Sequence, residues 1–278
     1  GIRDSVASRG RGDVYKRQYV NNIGIWYWKD FQYSKAIDYY NESLLIKEEL
    51  GDTRNYGKTL HNIGKVYYDM GDFVNSIEYF NKSIELKEKL NDQKGLKASL
   101  LKLGEAYFEN EDYINALTNF SKSLAITRSF EDILDVNNRY TAIGMSHFNL
   151  SNYDSAAHYL TMADNYFIDY PINRLTVLSW MAIASSNDGN IEKTKAYTKE
   201  FEEIYNDNDP EKKQIITINW NMYRVYQSLG KSKTAREHLE NAYLELKSRS
   251  KNIKDKGDRN QYLSAKLNQK ITKTWDNL

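Results

Sequence analysis

The chain has 278 residues, 40% of them hydrophobic, with no cysteine and only two prolines. The lack of cysteine excludes disulfides and thiolate chemistry, and so few prolines suit a nearly all-helical chain. Lys plus Arg number 39 against 38 for Asp plus Glu, so no global field points to nucleic acid or a membrane surface. No apolar run approaches the ~20 residues needed to span a bilayer.

The first fifteen residues, GIRDSVASRGRGDVY, are rich in Arg, Gly and Ser and obey no period. They lack the charged-then-apolar layout of a signal peptide and are expected to be a non-native or disordered leader. Arg11-Gly12-Asp13 within them is a chance match to an adhesion tripeptide. From about Lys16 a pattern returns every forty residues: Val20–Leu50, Leu60–Leu90 and Leu100–Phe130 align without gaps, and Tyr140–Tyr170 keeps the frame but loosens at its end. Fixed-period similarity is the signature of a repeat array.

Several columns lock at that spacing. Gly24, Gly64, Gly104 and Gly144 form one; Tyr27, Tyr67, Tyr107 and His147 the next; Tyr40, Phe80, Phe120 and Leu160 a large apolar one. Ala36, Ser76, Ala116 and Ala156, and then Ser43, Ser83, Ser123 and Ala163, are small. Within a copy, Leu60, Ile63 and Tyr67, then Phe73, Ile77, Phe80 and Ile84, recur three and four apart, as on one helix face. Met70-Gly71-Asp72 separates the two runs, with a Gly free to take positive φ and close the first helix. Between copies, Asp52, Asp92 and Asp132 stand where an acidic side chain caps the next helix. Each copy is therefore a helical hairpin, and stacked neighbours bury the faces that one hairpin leaves open.

After Pro171 the copies degrade. Copy five carries Trp180, Ala182, Gly189-Asn190-Ile191 and Phe201; copy six carries Trp220, Tyr223, Tyr226, Leu229-Gly230, Ala235, Leu239 and Ala242. Asn206-Asp207-Asn208-Asp209-Pro210 reads as a loop. In the basic tail, Ile253, Tyr262-Leu263, Leu267, Ile271 and Trp275 have helical spacing and predict a last helix that closes the stack. The expected organisation is a leader over 1–15, an array of about six hairpins over 16–246, four regular and two degenerate, and a capping helix with tail over 247–278.

Leu60, Ile63-Gly64, Tyr67, Ser76, Phe80 and Ser83 fall on the spacing of the tetratricopeptide repeat signature, and the chain resembles that family over most of its length. The usual repeat is about 34 residues with a closing Pro; here Glu48, Glu88 and Arg128 lie near the expected Pro, and the second helix is about a turn longer. The longer repeat resembles the arrays of kinesin light chain, Leu-Gly-Asn-type scaffolds and bacterial signalling proteins. The tail resembles the ends of cyclase-linked and ATPase-linked bacterial arrays, which implies an effector domain ahead of the array. The fold implied is an all-α, right-handed α-solenoid of stacked antiparallel helical hairpins.

No catalytic signature stands out. Gly230-Lys231-Ser232 resembles the end of a phosphate loop, but Val225 stands where its first Gly belongs. Ser99-Leu100-Leu101-Lys102 has S-x-x-K spacing without the accompanying motifs. His61, His147, His158 and His238 are scattered, with no metal-ligand spacing. No catalytic residue, metal or cofactor is expected. The Asn-x-Ser triplets, such as Asn81-Lys82-Ser83, follow from the structural Ser column and read as unmodified.

The resemblance implies that the first helix of each hairpin lines a concave groove where an extended or helical segment docks. Carrying the groove positions over gives Asn22, Asn62, Lys102, Ala142 and Asn221, preceded by Asn21, His61, Leu101 and Thr141. Three places on are Ile25, Lys65, Glu105 and Met145, then Trp28, Tyr68, Phe108 and Phe148. An Asn amide both donates and accepts, which suits a peptide backbone. Asn22, Asn62, His61, Lys65, Tyr68, Lys102, Glu105, Phe108 and Asn221 are the groove candidates. The expected function is a cytoplasmic scaffold binding a protein or peptide, the regulatory arm of a larger bacterial signalling protein, with no catalysis of its own. The alternative is a self-association module forming a homodimer within a signalling enzyme. Neither nucleic acid nor membrane is an expected partner.

Overall fold

The computed structural model describes residues 18–206 and 215–278; the leader expected at 1–15 and the loop expected after Asn206 lie outside the described residues. Among these, all regular elements are helices. They are α1 (18–29), α2 (Tyr33–Glu49), α3 (Thr53–Asp69), α4 (Phe73–Lys89), α5 (Gln93–Glu109), α6 (Tyr113–Arg128), α7 (Ile133–Asn149) and α8 (Tyr153–Tyr166), then α9 (Pro171–Asn187), α10 (Ile191–Tyr205), α11 (Ile216–Ser228), α12 (Ser232–Asn252), α13 (Lys256–Ser264) and α14 (Lys266–Asp276). Helices α3 with α4, α7 with α8 and α9 with α10 form antiparallel hairpins, and hairpins stack through α2 on α3 and α6 on α7.

The turns repeat at half the hairpin period. Phe31, Gly51, Gly71, Asn91, Glu111, Glu131 and Ser151, twenty residues apart, all have φ between 52° and 80°. At Gly71 the amide donates to Tyr68 O and the next amide, of Asp72, to Tyr67 O, both at 2.9 Å, the paired bonds of a Schellman closure. The following residue then caps the next helix: Asp52, Asp72, Asp92, Asp112 and Asp132 each accept the backbone N–H three residues on.

Small and large columns fit each other. A Cβ on Gly64 would lie 2.8 Å from the Phe80 ring, one on Gly24 2.9 Å from Tyr40, and one on Gly144 2.8 Å from Leu160. Tyr40, Phe80 and Leu160 are fully buried, so each hairpin closes on a ring or branched side chain that occupies the glycine's missing side chain. The Tyr27 column is half-buried and stacks on the second helix, Tyr27 on Tyr39 at 5.1 Å, Tyr67 on Tyr79 at 5.4 Å and His147 on Tyr159 at 5.7 Å.

A buried polar column also runs at period forty. Lys47 and Lys87 are each 4% exposed; Lys47 Nζ bonds Thr59 Oγ1, and Lys87 Nζ donates to Ser99 Oγ at 2.6 Å. In the next copy the cation changes sides: Thr127 stands in the lysine's place and Arg139, 2% exposed, donates to Ser123 Oγ at 3.2 Å.

Two departures matter. Pro171 does not break the array but occupies the first turn of α9, where its missing N–H has no helical partner to lose. Where the spacing predicts one closing helix, the tail forms two, α13 and α14, separated by the extended Ala265. The chain divides into two compact units: residues up to Ala106 with Ser250–Ala265, and Tyr107–Arg249 with Lys266–Leu278. In the first, Ile253 joins the core of Tyr33, Tyr40, Leu44, Leu60, Ile63, Val66 and Met70. In the second, Phe120, Ile143, Leu160, Leu175, Phe201, Tyr226 and Leu239 are buried.

Candidate functional site

In the first unit the groove candidates lie along α1, α3 and α5, the first helices of three hairpins. Asn22 and Asn62 open into a polar hollow of about 320 Å³ lined also by Gln18, Asn21, Lys47, Asn55 and Lys58. Lys47 Nζ and Thr59 Oγ1 both donate to Asn21 Oδ1, at 3.2 and 3.1 Å, which fixes that amide in the floor. The Asn22 and Asn62 side chains make no hydrogen bond to the described residues. Both amides are unbonded among the described residues, whereas Asn21 is committed to packing.

Further along the same helices is a ladder of charged and aromatic groups. Lys65 Nζ lies 4.2 Å from the centre of the Trp28 ring, and Trp28 Nε1–H donates to Asp69 Oδ2 at 2.7 Å. Lys102 Nζ pairs with Glu105 Oε2 at 2.5 Å and stands 5.8 Å from the Tyr68 ring centre. Burial raises the Asp69 carboxyl pKa, against the lowering by the Trp28 bond and the lysines. Burial likewise lowers that of Lys65, with Asp69 opposing and Lys102 adding to the fall. The ladder therefore holds partly desolvated charges beside aromatic faces, a setting in which cation–π and ionic contacts gain strength.

His61 has a different place. Its Nδ1 lies 2.8 Å from Ser99 Oγ, which also receives Lys87 Nζ, and its ring packs 5.3 Å from Phe80. Burial, then the charges of Lys87, Lys65 and Lys102, pull its pKa to about 3, so the imidazole is neutral at pH 7. The ring belongs to the α3–α5 packing.

The other two candidates lie in the second unit. Phe108 packs edge-on to Tyr113 at 5.3 Å and to Trp180 at 6.1 Å. Asn221 is 1% exposed, and its Nδ2 donates to Ser179 Oγ at 3.3 Å, a bond between α9 and α11. Periodicity pointed to Trp28 but not to Asp69, because the equivalent positions Lys29, Glu109 and Asn149 form no column. The Lys47 and Lys87 pair was visible as a forty-residue spacing, yet lysine reads as solvated face until its burial is seen.

Among the described residues no group of His, Cys, Asp and Glu could hold a metal ion, and no helix is long and apolar enough to cross a membrane.

The family model of the tetratricopeptide repeat matches residues 17–89, spanning the first two hairpins. No match is found among curated proteins. Among solved structures the chain is similar to the apo form of RapI, at 16% identity over 95% of this chain and 100% of that one, with a TM-score of 0.74. It is also similar to a Rap conjugation gene regulator of the plasmid pLS20 in complex with the Phr* peptide, at 14% identity over 98% of this chain and 79% of that one, TM-score 0.61. A third is a signal transduction ATPase with numerous domains bearing a tetratricopeptide repeat sensor, from Pyrococcus horikoshii, at 17% identity over 85% of this chain and 37% of that one, TM-score 0.69. Residues 17–89 are tetratricopeptide repeats, and the helical hairpins that continue from them carry the same repeat fold.

Proposed function

We propose that the chain is a protein- or peptide-binding scaffold without catalysis of its own, which receives a segment along the first helices of its hairpins. The observation that carries this reading is the pair of free amides, Asn22 and Asn62, forty residues apart over a polar hollow. Amides at that spacing can donate to and accept from successive peptide groups of one extended segment. The Trp28–Lys65 and Tyr68–Lys102 contacts add aromatic and cationic faces beside it, the side-chain types that dominate binding energy in such grooves. Similarity to a Rap regulator bound to the Phr* peptide and to a tetratricopeptide sensor of a signalling ATPase supports a peptide as the ligand. The setting we infer is the regulatory arm of a larger bacterial signalling protein acting in the cytoplasm; the repeat sensor of the signalling ATPase supports the regulatory part of that reading.

Selection from a random-peptide display library, followed by photo-crosslinking, tests the reading. A photoreactive side chain at Lys65, on the first-helix ladder, should capture selected peptides, while the same group at exposed Lys82 on α4 should not. Capture from Lys82 and none from Lys65 would place binding on the wrong face.

A further inference from the structure

The second unit contains a hollow of about 110 Å³ at the meeting of α5, α6, α9, α11 and α14. Its walls include Phe108, Tyr113, Trp180 and Trp220, and its polar lining includes Arg224, Lys266 and Lys270. The two lysines are already matched: Glu111 Oε2 pairs with Lys266 at 2.7 Å, and Glu111 Oε1 with Lys270 at 2.8 Å. Arg224 is not. Its guanidinium is partly buried and forms no hydrogen bond or ion pair with any described residue, although Glu109 and Glu111 also line the hollow. Burial lowers its pKa, and the Tyr113 hydroxyl opposes that fall. The Trp180 ring lines the same hollow, is 5% exposed, and keeps its buried indole N–H without a hydrogen-bond partner. Unsatisfied buried donors are rare in folded proteins and mark a place where something else belongs.

We propose that this hollow binds a carboxylate, carried by a peptide residue with an apolar or aromatic neighbour. The argument is one of complement. A guanidinium is a donor only, so the group that satisfies it must be an acceptor. A planar carboxylate fits the guanidinium fork in two parallel bonds. It also neutralises the one cation here that Glu111 leaves unmatched. The aromatic walls then receive the flanking side chain. Phe108 and Asn221, expected as groove contacts, thus both line one pocket. This inference rests on the peptide-binding reading only for the source of the carboxylate.

The test uses small probes and the full chain. N-acetylphenylalanine offers a C-terminal carboxylate beside a ring, and N-acetylaspartic acid amide a side-chain carboxylate; N-acetylphenylalanine amide and N-acetylasparagine amide are their neutral controls. Binding is read from the Trp180 indole N–H resonance, assigned with Trp180→Phe. The expected result is a shift with at least one acid and binding at least about tenfold weaker for its neutral control. Arg224→Gln should abolish that discrimination, and Arg224→Lys, which keeps the cation if Gln does not fold, should retain part of it. The stronger acid identifies the source as chain terminus or side chain. Equal binding of acids and amides, undiminished discrimination in Arg224→Gln, or no shift with either acid would overturn the proposal. Because the readout is confined to this unit, failure here leaves Lys65 crosslinking untouched, and the converse also holds.

Discussion

Asp258 accepts a hydrogen bond from the backbone N–H of Ser34 at 3.0 Å and another from its hydroxyl at 2.7 Å, so α2 is capped from 224 residues away. In later copies this cap is local, from Asp72 and Asp112, but the first copy has Gln32, which makes no cap bond. The tail supplies what the repeat lacks. Lys254 adds an ion pair to Asp30 at 2.6 Å, and Gly71, at φ +80°, would bring a Cβ to 3.3 Å from Ala265.

Asp258→Ala should therefore cost about 1–3 kcal/mol, the loss of a cap plus a buried acceptor. Denaturant unfolding measures the cost, and amide exchange at Ser34 should accelerate with it. An unchanged midpoint with Ser34 still protected would mean that the tail only rests on α2. Ser34→Ala should cost less, since its backbone N–H keeps the carboxylate.

The glycine–ring pairs carry the hairpin closure. Phe80→Ala should cost about 3–5 kcal/mol through the cavity it leaves, and Gly64→Ala about 1–3 kcal/mol by crowding the same ring. Combined, they should cost less than the sum of the two, because the new methyl enters the space that the ring vacates. Thermal unfolding of the three variants would show it, and strict additivity would separate the two positions. Tyr67, which the periodicity groups with the core, is half-buried and stacked on Tyr79, so its truncation should be milder than that of Phe80.

The columns that specify this closure were readable because packing in a repeat array recurs at one spacing. Gly64, Phe80, Ser76 and the caps at Asp52, Asp92 and Asp132 could all be placed from that spacing alone. What the sequence concealed is non-periodic. Asp258 acts across 224 residues, and Arg224 lies where the forty-residue frame has slipped. Asn221 kept its alignment with Asn62, yet it is buried and bonded to Ser179 of α9.

Lys87 gives an inverted pH response. Burial, only partly offset by Asp92, lowers its pKa from 10.5 to about 8, so between those values the unfolded chain holds more protons than the folded one. Stability from this group therefore rises with pH over that window. Lys87→Met should stabilise the fold by about 1–3 kcal/mol at pH 7, since Ser99 keeps His61 and Ser83 as partners. The advantage over the unaltered chain should shrink from pH 8 to 10.5. Urea unfolding at pH 7 and pH 10 decides; a destabilised variant, or a gap that widens with pH, would mean that the buried ammonium is better satisfied than its surroundings indicate.

The most direct measurement pairs the affinity of Asn62→Ala for a display-selected peptide, by calorimetric titration, with its melting temperature. A free amide over a hollow predicts at least about fivefold weaker binding, one to two lost hydrogen bonds, and a melting temperature unchanged within error. Unchanged affinity, or a collapse of the melting temperature like that expected for Phe80→Ala, would contradict the account of the first-helix face as the binding surface.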